Sequence, residues 1–181
     1  MNNNDSDISL LGFLSIKPMH GYELHKHVAD LSGFGIVWNI KIGKLYAMLN
    51  RLEKDGLIKA STSKDSNRPA RNEFSITGKG KKTFESWLIS PVKSGREFRI
   101  IFLLKLYFSL KIGIDQAEKL IAAQMELCNS WLSTRKIIKN ADEEIKTEDR
   151  FSDIVNEYRK IQIQGHLAWL HWCKDSIKAG K

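Results

Sequence analysis

The chain has 181 residues, 42% of them apolar, with 29 Lys+Arg against 21 Asp+Glu and a formal charge of +8. Such a composition can fill a core, which excludes global disorder, and no uncharged apolar run approaches the roughly 18 residues of a membrane-spanning helix. With Cys128 and Cys173 the only cysteines, and no basic segment leading into an apolar stretch after Met1, neither a disulfide framework nor a secretory signal is expected. A reducing cytoplasm is the expected home.

In chain order, Ile8, Leu11, Phe13, Leu14 and Ile16 predict a short helix stopped by Pro18, which disfavours helical geometry at Lys17. A second helix is predicted from about Gly21 or Tyr22 to Asp30, with Tyr22, Leu24, Val28 and Leu31 as its apolar positions. Ser32-Gly33-Phe34-Gly35 reads as a breaker. A third helix from about Ile42 to Lys54 carries Leu45, Met48, Leu49 and Leu52 at helical spacing, and Gly56 ends it, as a glycine free to adopt positive φ does. Two short strands, 57–61 and 72–76, flank the polar stretch 62–71 and predict a hairpin with an exposed loop. Thr77 is positioned to cap a helix ending near Leu88. Helix, helix, helix, hairpin, helix is the order of a winged helix-turn-helix domain.

Residues 90–95 read as a linker, which divides the chain into 1–90 and 91–181. The second part is predicted to be all helical: an apolar stretch over 98–110, a long helix over about 115–145, a break at 147–149 and a last helix. In that last helix Phe151, Ile154, Tyr158, Ile161, Gly165, Ala168 and Trp172 alternate spacings of three and four. This is a coiled-coil-like seam suited to dimerisation, with small Gly165 and Ala168 permitting close backbone approach. The fold class expected is therefore mainly α with a small β-hairpin wing.

Positive charge is concentrated. Residues 41–82 hold 11 basic and 4 acidic side chains, the footprint of a nucleic-acid reader. Lys41 and Lys44 open the third helix, where groove-reading helices make base contacts, and Tyr46, Asn50, Arg51 and Lys54 add donors along it. Tyr46 has an equal reading as a half-buried packing residue. In the hairpin loop Lys64, Asn67, Arg68 and Arg71 can approach phosphates or enter a narrow minor groove. Phe102, Tyr107, Trp131, Trp169 and Trp172 have two readings: packing of a helix interface, or the walls of a pocket for a flat apolar ligand.

Enzymatic chemistry has little support. His20, His25 and His27 are not spaced as helix-face ligand pairs, so no metal is expected, and His171 with Cys173 is no better placed. Gly78-Lys79-Gly80-Lys81-Lys82-Thr83 lacks the spacing of a phosphate loop, and Gly33-x-Gly35 lacks the third glycine of a dinucleotide site. No cofactor is expected.

Several stretches together resemble the PadR-type transcriptional regulators. They are Leu10-Leu11-Gly12-Phe13-Leu14-Ser15, Pro18-Met19-His20-Gly21-Tyr22-Glu23-Leu24, Trp38, and Gly43-Lys44-Leu45-Tyr46 running on to Leu57-Ile58. Arg68-Pro69-Ala70-Arg71-Asn72-Glu73-Phe74 and Ile76-Thr77-Gly78-Lys79-Gly80 complete the resemblance, which covers about residues 8–90. It implies a winged helix that binds operator double-stranded DNA as a homodimer, with 42–54 in the major groove, 62–71 as the wing and C-terminal helices as dimer contacts. Some members of that family respond to phenolic or other aromatic ligands, so a small hydrophobic aromatic effector enters as an implied partner. Two departures stand out: Lys44 replaces a small hydroxyl residue, and Asn72-Glu73-Phe74 replaces the common Lys-Val-Tyr. The competing readings are a winged-helix protein-interaction module that binds no DNA, and a metal or ligand sensor centred on the helical part.

Overall fold

The computed structural model describes residues 3–63, 71–142 and 150–179. Its first half begins with α1 (Asn3–Leu14), whose Leu10, Leu11, Phe13 and Leu14 are buried. A two-residue strand, β1 (Met19–His20), leads directly into α2 (Gly21–Ala29). A single turn, α3 (Phe34–Val37), precedes α4 (Ile42–Lys54). The hairpin strands β2 (Ile58–Ser63) and β3 (Arg71–Ile76) follow, and α5 (Gly78–Ile89) closes the unit. The sheet is antiparallel in the order β1-β3-β2, with Met19 opposite Phe74, Ile58 opposite Ile76 and Ser63 opposite Arg71.

Two punctuation signals act as expected. Gly56 ends α4 with φ 71°, the left-handed conformation that costs a glycine little. The Thr77 hydroxyl accepts a hydrogen bond from the Gly80 amide at 3.0 Å and caps α5.

Other features differ from the sequence reading. Residues 32–35 are not merely a breaker: Phe34 lies fully buried at the start of α3, its ring 5.0 Å from Phe13 and 6.0 Å from Trp38. The core needs this aromatic, and a one-turn helix delivers it. Strand β1 is too short to carry any pattern of its own and exists because β3 offers it a free edge. Ile16 and Leu31 fall just past the ends of α1 and α2 and are exposed, as is Tyr22.

In the second half, α6 (Gly95–Glu97), a π-helical turn (Phe98–Phe102) and α7 (Leu103–Ile112) run on as one helix. Gly113, with φ 157°, breaks it. The long helices α8 (Ile114–Asp142) and α9 (Arg150–Ala179) lie antiparallel, with Glu118 near the start of one 3.8 Å from Lys178 near the end of the other. The expected break at 147–149 lies outside the described residues.

The stretch expected as a linker is fastened on both sides. Val92 is buried, its amide donates to Gln124 Oε1 at 2.7 Å, and its carbonyl accepts from Gln124 Nε2 at 3.2 Å. Lys105 Nζ donates to the Ser90 carbonyl at 2.6 Å and to Ser90 Oγ at 2.9 Å. The core also crosses the boundary: Phe108 lies 5.1 Å from Phe13, and Tyr107 lies 5.6 Å from Phe34. A Cβ on Gly12 would collide with the Phe108 ring, so this glycine is what lets α1 seat against α7.

Candidate nucleic-acid interface

Helix α4 turns Leu45, Met48, Leu49 and Leu52 into the core. The 3.6-residue period then places Gly43, Ala47, Asn50 and Lys54 in a row on the opposite side, and all four are exposed. The two small residues, one turn apart, keep that ridge low near the start of the helix. A Cβ on Gly43 would meet nothing within 4 Å. Lys41 and Lys44 are exposed beside them, Lys44 with its Nζ 5.8 Å from the Trp38 ring centre.

Tyr46 satisfies both of its readings in part. The residue is 40% exposed, yet its ring lies so close over the start of α2 that a Cβ on Gly21 would come within 2.7 Å of it. Gly21 is therefore the residue that admits this ring. His25 Nε2 lies 3.0 Å from the Ile40 carbonyl and ties α2 to the turn before α4. At the other end, Glu53 accepts from the Ala60 amide at 3.1 Å, and Lys79 Nζ donates to the Asp55 carbonyl at 2.7 Å. Helix α4 is thus braced at both ends while its outer face stays open.

Arg51 departs from its expected place among the free donors. Its Nε and Nη2 donate to Asp7 Oδ2 and Oδ1 at 2.6 and 3.0 Å, and this hydrogen-bonded pairing holds the guanidinium above its ordinary pKa. Nothing in the sequence pairs two residues so far apart. Of the wing residues, Lys64, Asn67 and Arg68 lie outside the described residues. Arg71 opens β3, opposite Ser63.

The aromatic residues expected around a ligand do not share one wall. Phe102 is fully buried and stacks on Phe98 at 4.6 Å, with Trp169 edge-on to both rings. Tyr107 packs against Phe13 and Phe34 in the first half, and Trp172 is exposed. Trp131 lines a cleft of about 200 Å³, shared with Lys93, Gly95, Arg159, Gln162, Ile163 and His166. His166 stacks on Phe98 at 4.0 Å, and burial holds its pKa below the usual histidine value. Its Nδ1 is buried without a hydrogen-bond partner among the described residues.

The expected seam of α9 faces outward. Phe151, Ile154, Tyr158, Ile161 and Trp172 are between 58% and 71% exposed. Gly165 and Ala168 share that open face, while Ile163, Leu170 and Cys173 face the chain's own core. Among the described residues no group of three or more His, Cys, Asp or Glu is arranged to hold a metal ion, and no helix is long and apolar enough to cross a membrane.

Helices α1, α2 and α4, an antiparallel hairpin and an open polar helix face braced from behind define a winged helix-turn-helix domain with a helical appendage. Residues 10–86 match the transcriptional regulator PadR-like family, and 98–178 match the C-terminal region of virulence activator alpha. Over residues 10–86 the chain is therefore similar to the PadR-like transcriptional regulators. Negative transcriptional regulator PadR of Bacillus subtilis (strain 168) is 24% identical over 125 residues, covering 69% of this chain and 68% of that protein. The crystal structure of Bacillus subtilis PadR in complex with operator DNA is similar at 20% identity and a TM-score of 0.46, over 94% of this chain and 98% of that one. The structure of smu.1604c from Streptococcus mutans UA159 is similar at 26% identity and a TM-score of 0.43, over 96% of each chain.

Proposed function

We propose that the chain is a cytoplasmic repressor that binds an inverted-repeat operator as a homodimer and carries out no catalysis. The observation that carries this reading is the outer face of α4: a low ridge of Gly43 and Ala47, then Asn50 and Lys54, with Lys41, Lys44 and Tyr46 alongside. A groove-reading helix needs that arrangement of close approach, donors and positive charge. Lys64, Asn67, Arg68 and Arg71 serve as the wing, contacting phosphate or the minor groove. The negative regulation named for the Bacillus subtilis relative supports the repressor sign.

The open seam on α9 is the dimer contact, because an isolated helix gains nothing from presenting five large apolar side chains to water. For an effector, the same reading names the cleft beside Trp131, where a flat aromatic compound would touch the 90–95 strap and both long helices at once.

The test is the salt dependence of duplex binding. A chain neutralising about six to ten phosphates loses about 10³–10⁵ in affinity between 50 and 200 mM salt. Lys44→Ala is expected to weaken binding and flatten that slope. A wild-type chain that ignores duplex DNA would instead favour a protein-interaction module.

A further inference from the structure

Lys44 and Arg51 sit two turns apart on the same flank of α4. Lys44 meets the Trp38 ring, its Nζ 5.8 Å from the ring centre, whereas Arg51 is held by a carboxylate. The Asp7 side chain is 5% exposed and its partner Arg51 is 45% exposed, so a buried carboxylate grips a guanidinium that reaches the surface. Both carboxylate oxygens are engaged, the two-pronged geometry that makes such pairs strong and directional. The carboxylate comes from α1, which packs against α4, α5 and α7. An apolar residue at position 7 would pack α1 as well, and an ion pair with one partner at the surface is seldom a large source of stability. What the pair does provide is electrical. It cancels one of the cations on the flank of the groove-reading helix and pins that flank to α1.

We propose that Asp7 is a positioning residue of the DNA interface: by holding Arg51 in a two-pronged ion pair, it withholds one cation from the phosphate backbone and sets the sequence-independent part of DNA affinity. This inference rests on the DNA-binding reading above. Phosphate contacts carry that part of the affinity and its salt dependence, each adding about 0.9 to the slope of log affinity against log salt. Freeing Arg51 adds one such contact.

The experiment titrates the full chain and Asp7→Asn with a mixed-sequence duplex between about 50 and 200 mM salt. Asp7→Asn is expected to bind more tightly at low salt with a slope steeper by about 0.9, so that the variant loses about threefold more affinity across that range. The double variant Asp7→Asn/Arg51→Gln is expected to lose this gain. A slope for Asp7→Asn equal to or shallower than wild type overturns the proposal, because a brace that merely supports the fold would weaken binding and add no phosphate contact. A second measurement needs no variant. In the wild-type chain the NMR signal of the Arg51 Nε–H should stay in place when duplex is added, and its displacement by duplex also overturns the proposal. Absence of any salt-dependent binding by the wild-type chain would remove the DNA-binding reading itself, a distinguishable result.

Discussion

Lys105 places a primary amine where only 3% of the residue meets solvent, on a helix otherwise packed with Leu104, Leu106 and Phe108. Its three N–H groups are accounted for by the two Ser90 oxygens and by the Trp87 ring, whose centre is 4.9 Å away. Burial lowers its pKa from 10.5 to about 8, against the opposing pull of Asp5 and Glu97. Between pH 8 and 10.5 the unfolded chain therefore keeps a proton that the folded chain has released, so this group's contribution to stability rises with pH across that window. The rise is bounded at about 3 kcal/mol. The thiols of Cys128 and Cys173 and the Tyr107 phenol, all pushed up by burial, act in the opposite direction. The difference between wild type and Lys105→Met cancels those groups. Followed by denaturant unfolding, that difference is expected to climb over the window, whereas a flat difference would mean that the amine is not buried. The sequence shows Lys105 as a lone cation in an apolar stretch, which is a legible oddity. Its partners are not legible, because Ser90 comes from a segment that reads as free linker.

At the scale of elements, periodicity carries far. The buried set of α4 and the outward seam of α9 both follow from spacing, because a helix alone fixes which residues share a side. What spacing does not reveal is any element that owes its existence to a neighbour. Strand β1 depends on the edge of β3, and α3 depends on the cavity that Phe34 fills among Phe13, Trp38, Tyr107 and Phe108. The same limit explains Asp7, which becomes a partner of Arg51 only once α1 lies against α4. Helix α9 is apolar on two sides, one covered by its own chain and one open. Tyr158→Asp/Ile161→Asp is expected to convert the dimer to a monomer by sedimentation while circular dichroism stays helical, since Ile163, Leu170 and Cys173 still anchor the helix. A double variant that remains dimeric would place the contact elsewhere.

Taken whole, the molecule joins its two halves through packing rather than through a flexible hinge. The Phe108 ring rests on Gly12, Gln124 clasps Val92 at both backbone atoms, and Lys105 grips Ser90. Contacts run from α8 through Gln124 to Val92, from α7 through Phe108 to α1 at Gly12, and from α1 through Asp7 to Arg51 on the flank of α4. Helix α8 packs against α5 of the first half and against α9, and in the dimer proposed above the seam of α9 would fix one copy relative to the next. That contact would set the separation of the two α4 helices, which must be about 34–36 Å to read half-sites one turn of DNA apart. The most direct measurement is a footprint of the full chain on the DNA upstream of its own gene. A two-fold symmetric protected site is expected, with half-sites centred one DNA turn, or a whole number of turns, apart. Protection of a single unsymmetrical patch, or none at any protein concentration in low salt, would contradict it.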